Sequence, residues 1–123
     1  MIEKEPQIIE AAMNIILNAG DAREDNLQAI HSLANFNVDE AKRYLEQATK
    51  KITIAHKIQT DQIQDETRGN KSEYSLLFAH AQDTLMTINS EILLTKGLMD
   101  VFRAYLLKIQ ELEREIERVG KNG

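Results

Sequence analysis

A single proline, at position 6, sets the terms for this 123-residue chain. Proline lacks a backbone N–H and its ring collides with the preceding turn, so it breaks helices more strongly than any other residue. Everything after Pro6 is free of that obstacle, and long helices are permitted almost everywhere. Aromatic residues make up only 5% of the chain and Trp is absent. A core therefore has to be built from Ile, Leu, Ala and Met, the usual filling between packed helices. The length suits one domain, residues 1–123, and no internal repeat, low-complexity segment or linker divides it.

Apolar spacing then places the helices. Ile8, Ile9, Ala12, Ile15, Ile16, Ala19, Leu27, Ile30 and Leu33 follow the 3.6-residue period and predict a first helix over about 5–34. Gly20 and Asp21 interrupt the stripe, and a helical Gly costs about 1 kcal/mol relative to Ala. The stripe resumes in phase, which predicts continuity. Residues 35–37 form a connection, and Asn37 three residues before Glu40 predicts reciprocal capping of a second helix. That helix, about 38–66, turns Ala41, Leu45, Ala48, Ile52, Ala55, Gln59 and either Gln62 or Ile63 inward. It fades into a polar run, with Gly69 and Asn70 as breakers and Ser72 as the cap of a third helix over about 73–118. The fold class is all-α, an antiparallel three-helix bundle.

The third helix carries more stripes than a bundle can bury. Leu85, Ile88, Ile92, Thr95, Met99, Phe102 and Leu106 would face the other two helices. A second seam, from His80 and Asp83 through Thr87, Ser90, Leu94, Gly97 and Val101 to Ala104, is polar and small. A third runs through Leu98, Phe102, Tyr105, Ile109, Leu112, Ile116 and Val119, flanked by Glu and Arg as in a coiled coil. It makes a C-terminal heptad extension at about 107–119. Self-association through helix three is the resulting expectation.

Composition also excludes classes of function. The net charge is −5, the pI is near 5.2, and no Lys or Arg cluster alternates with aromatics, which argues against nucleic-acid binding. The absence of Cys removes disulfides and thiol chemistry. No run approaches 18 apolar residues and Met1 to Pro6 is polar and acidic, so neither membrane insertion nor an export signal is expected. The expected location is the cytoplasm.

Three histidines remain, His31, His56 and His80, one per helix. A lone helical His is more often an ordinary surface or core residue than a catalytic one. His80 differs because Gln82 and Asp83 follow within a turn and because it lies on a seam the core does not need. A neutral imidazole is a good nucleophile, and its phosphorylated nitrogen a good leaving group. Phosphoryl transfer then needs positioning and donors for the equatorial oxygens. Gln59, Gln82, Thr60 and Thr87 are candidates. A carboxylate beside a phosphoryl group is otherwise unfavourable. Asp83 therefore points to a bound cation, with one oxygen ligand per subunit meeting on a three-fold axis, or else is a solvated surface group.

Three segments carry a family likeness: Asn18-Ala19-Gly20-Asp21-Ala22-Arg23, then Ala55-His56 with Gln59-Thr60, then His80-Ala81-Gln82-Asp83 continuing through Leu85-Met86-Thr87. In these the chain resembles the lactose/cellobiose-type enzyme IIA family of the phosphoenolpyruvate-dependent sugar phosphotransferase system, over roughly residues 8–107. The resemblance implies that His80 takes a phosphoryl group from the general carrier HPr and passes it to a cysteine of enzyme IIB. The sugar expected is a disaccharide of lactose, cellobiose or diacetylchitobiose type. It implies Gln82 beside the histidine, with Gln59 a further catalytic candidate, a homotrimer, and Asp83 from each subunit near a divalent cation, Mg, on the axis. The family often has a second histidine directly after the aspartate, where this chain has Thr84.

Three rival readings exist. Carboxylate–metal bundles use Glu-x-x-His pairs, but Gln28, Thr53 and Leu77 precede the three histidines at that spacing. A histidine phosphotransfer domain of two-component signalling has Lys and Gly soon after its active His, where Ala81, Gln82 and Asp83 stand here. In a non-catalytic helical interaction module, His80 would be replaceable without effect.

Overall fold

A computed structural model describes residues 4–69 and 75–122. Three helices account for nearly all of them: α1 Lys4–Ala34, α2 Val38–Thr67 and α3 Leu76–Asn122. The all-helical reading holds, and α1 passes through Gly20 and Asp21 unbroken. Helix α2 runs back along α1, and α3 runs in the direction of α1 again. Helix α1 is the shared wall, packing extensively on α2 and on α3, whereas α2 and α3 meet along a much thinner contact.

The α1–α2 turn shows how local chemistry sets this geometry. Phe36 takes a left-handed backbone, φ 59°, at the position after a helix end where Gly is usual. Asn37 N–H donates to the Ser32 carbonyl at 2.9 Å and Phe36 N–H to Leu33 at 3.0 Å, which satisfies the last free carbonyls of α1. The Phe36 ring packs on Phe102 of α3 with centroids 5.5 Å apart. That contact offsets the cost of a side chain in this conformation.

Asn37 caps α2 as expected, its Oδ1 accepting from Glu40 N–H at 3.1 Å. The reciprocal half differs from expectation. The Glu40 carboxylate accepts from the Asn37 side-chain amide at 2.9 Å, because the Asn37 backbone N–H is already used by Ser32. Gly69 ends α2 with φ 98°; Asn70 and Ser72, the other residues assigned to this boundary, lie outside the described residues. Helix α3 starts at Leu76, three residues after the expected start, with Ser75 Oγ accepting from Phe78 N–H at 3.1 Å. It continues to Asn122, past the expected end.

The core is layered by size. Ala12, Ala19, Ala22 and Ala29 of α1 and Ala41, Ala48 and Ala55 of α2 are fully buried, and small side chains of this kind let helix axes approach closely. Helix α3 supplies the bulk through Leu85, Ile88, Ile92 and Met99. Gln62, 6% exposed, takes the inner position over Ile63, 39% exposed. The expectation for α1 fails at Ile9, Leu27 and Ile30, which are exposed. After Ala19 the buried stripe steps through Ala22, Asn26 and Ala29 to Leu33. Leu27 and Ile30 follow Asn26 and Ala29 by one residue, about 100° around the helix. No helix among the described residues is long and apolar enough to cross a membrane.

Candidate functional site

The segment that Ser75 caps carries His80 just over one turn into α3. Its ring is exposed, as follows from its position five residues before the fully buried Leu85. Asp83 lies about 60° around the helix from His80, exposed on the same side away from the core. Thr87, Ser90, Leu94, Gly97 and Val101 continue that side, all exposed. The second seam is therefore an open face of the single chain. Gly97 has no atom near enough to contact an added Cβ, so the fold of this chain does not require its smallness.

Gln82 is half-buried and stands about 160° around the helix from His80, on the opposite flank. Gln59 on α2 is half-buried too, and its Oε1 is enclosed without accepting a hydrogen bond. Within one chain no hydrogen bond joins His80, Gln82, Gln59 and Asp83 to one another. One bond does touch the histidine: Thr84 Oγ1 donates to the His80 carbonyl at 2.9 Å. The residue that replaces the resembled family's second histidine thus turns back onto the backbone of the first.

Two features escaped the sequence reading. Arg23 on α1 meets Glu91 on α3 in a two-pronged pair, Nε to Oε1 at 2.9 Å and Nη2 to Oε2 at 2.6 Å. Hydrogen bonding to the guanidinium holds the Glu91 carboxyl below the usual carboxylate range, against a smaller opposing effect of burial, and raises the Arg23 pKa in turn. Glu91 lies on the His80 flank, three turns or about 16 Å further along α3, and the pair locks α1 to α3 there. The second feature is Asp25, 8% exposed and 2.6 Å from Lys51 of α2. Both pairs link residues far apart in sequence, and no local pattern announces them.

As for metal, Asp83 offers the hard oxygen donor that Mg prefers. Among the described residues no group of three or more His, Asp or Glu side chains is placed to hold an ion. An ion at Asp83 therefore needs neighbouring subunits.

Residues 10–103 match the family model for the lactose/cellobiose-specific IIA subunit of the phosphotransferase system. The chain belongs to this family. A lichenan-specific phosphotransferase enzyme IIA component of Bacillus subtilis is 40% identical over 86 residues, covering 70% of this chain and 76% of that protein. The crystal structure of the cellobiose-specific enzyme IIA of Bacillus anthracis superposes with a TM-score of 0.75 at 33% identity, covering 80% of this chain and 91% of that one. The IIA(Chitobiose) of Escherichia coli, solved in solution in complex with HPr, gives a TM-score of 0.70 at 28% identity, covering 80% and 95%. The family-model match takes in the α2 and α3 segments around Gln59, His80 and Asp83.

Proposed function

We propose that this chain is the cytoplasmic phosphocarrier of a sugar phosphotransferase system, with His80 as the carrying residue. The observation that carries the reading is the exposed imidazole of His80 on the open face of α3, without a side-chain partner among the described residues, in a chain that belongs to the IIA family. A ring nitrogen of His80 attacks the phosphorus of phosphohistidine on HPr, so that one N–P bond breaks as another forms. In the second step a cysteine thiolate of enzyme IIB attacks the same phosphorus, and His80 is regenerated. The sugar phosphorylated downstream is a disaccharide of cellobiose, lactose or chitobiose type. The carrier touches only the phosphoryl group, so its own surface need not encode which sugar.

Three copies assemble through the exposed face of α3. The half-buried amide of Gln59 is assigned as a donor to the phosphoryl oxygens; Gln82, on the opposite flank of α3 from His80, is not assigned to that role within the same chain. In such a trimer Asp83 of each subunit would be the ligand for a divalent cation such as Mg, which would supply positive charge to offset the carboxylates.

The test is incubation with phosphoenolpyruvate, enzyme I and HPr, followed by intact-mass measurement before and after acid treatment. One acid-labile phosphoryl group is expected, and none on His80→Gln. Well-folded protein that gains no mass would leave a non-catalytic interaction module as the better reading.

A further inference from the structure

Helix α3 continues well past the body of the bundle. Every described side chain from residue 107 to 121 is exposed, a rod of about 22 Å at 1.5 Å per residue. A helix this short is marginal in water by itself, and this one shows Ile109, Leu112, Ile116 and Val119 to solvent at 43 to 71% exposure. The family match ends at residue 103 and gives no account of it.

The exposed residues follow one rule. From Asp83 to Val101 they recur in alternating steps of four and three, the spacing of a left-handed coiled coil. Two further steps of four reach Tyr105 and Ile109, and the alternation then resumes through Leu112, Ile116 and Val119. Consecutive steps of four form a stutter, which locally unwinds the supercoil. The ten steps cover 36 residues, which is the 3.6-residue repeat of a straight helix. One continuous stripe therefore changes character near Val101, from polar and small to apolar.

We propose that the rod from Tyr105 to Val119 is a self-association clasp, pairing in parallel and in register with the same segment of further copies of this chain. Ile109 and Ile116 occupy a positions, and Tyr105, Leu112 and Val119 occupy d positions. Lys108 then falls at g and Glu113 at the e position of the next heptad, the two positions that face each other across parallel strands. Lys108 therefore meets Glu113 of the partner subunit with opposite charge. Within one chain Lys108 lies 3.4 Å from Glu111 with both side chains well exposed, a pairing weak enough to exchange. The clasp supplies apolar burial that the polar stretch around Asp83 lacks. The proposal rests on the trimer above only for the number of copies.

Sedimentation equilibrium on the full chain tests this. Ile116→Asp is expected to weaken self-association by about tenfold or more, the scale set by removing a buried Ile. Glu113→Lys should weaken it several-fold, and adding Lys108→Glu should restore it. These surface changes leave the body of the bundle intact, which circular dichroism checks. Since the chain has no Cys, Ile116→Cys cross-links to its own counterpart on oxidation only if the strands are parallel and in register. Unchanged association of Ile116→Asp, or an associating Ile116→Cys that does not cross-link, would overturn the clasp. Phosphorylation of His80 in the same samples reports on the carrier function alone, so the two readings fail separately.

Discussion

Single side chains decide how firmly α1 is held to its neighbours, and two of them yield predictions. Glu91 has its pKa lowered by Arg23, so its contribution is fully present above the ordinary carboxylate range and is lost as pH falls through the lowered value. The Arg23 side of the pair matters only at high alkalinity, since its pKa is raised. Both side chains are about 40% exposed, so solvent screening limits the gain to about 1 kcal/mol or less. Urea unfolding of Glu91→Gln should show that deficit at pH 7 and lose it as the pH falls through the lowered carboxyl pKa, where the native carboxylate becomes protonated. Asp25 is the more sensitive site because it is nearly buried. Lys51→Met removes its counter-charge and should cost about 1–3 kcal/mol, and adding Asp25→Asn should recover part of it. If Lys51→Met alone unfolds at the native urea midpoint, the pair is not a structural tie.

At the level of elements, helix α1 gives the clearest test. Gly20 sits mid-helix, exposed, with open space where a Cβ would stand. Gly20→Ala should therefore stabilise the isolated chain by about 1 kcal/mol, read as a higher urea midpoint at unchanged slope. A loss of stability instead would show that a neighbouring molecule packs against Gly20. The helices themselves were legible in the sequence, since a chain nearly free of proline with 3.6-residue spacing has few other folds. Asn37 marked the start of α2 because capping is local chemistry. The inward face of α1 beyond Ala19 was less legible. There the buried positions are Ala22, Asn26 and Ala29, which carry little apolar signal beside Leu27 and Ile30. The polar run before α3 suggested Ser72 as its cap, and the hydrogen bond from Phe78 N–H places a cap at Ser75, a residue with nothing in the local pattern to single it out. His80, Gln82 and Asp83 stood out as a segment. Their mutual placement was not legible, because three residues within one turn of a helix fall on different flanks: Gln82 stands on the side of α3 away from His80.

For the whole molecule, the thin α2–α3 contact and the open face of α3 leave surface that the proposed trimer would cover. If Asp83 carboxylates share a cation, removing it leaves three like charges facing each other. EDTA should then lower the oligomer mass by light scattering and the melting temperature of the native chain. Asp83→Asn should be indifferent to EDTA, and equal indifference of the native protein would sink the shared ion. The length of α3 has a practical corollary. From His80 to Lys121 the chain is one helix with no proline, spanning about 61 Å at 1.5 Å per residue. A fluorophore placed near residue 121 would therefore ride on a stiff ruler at a known remove from His80. It should report the docking of carrier proteins at the histidine by energy transfer without obstructing them.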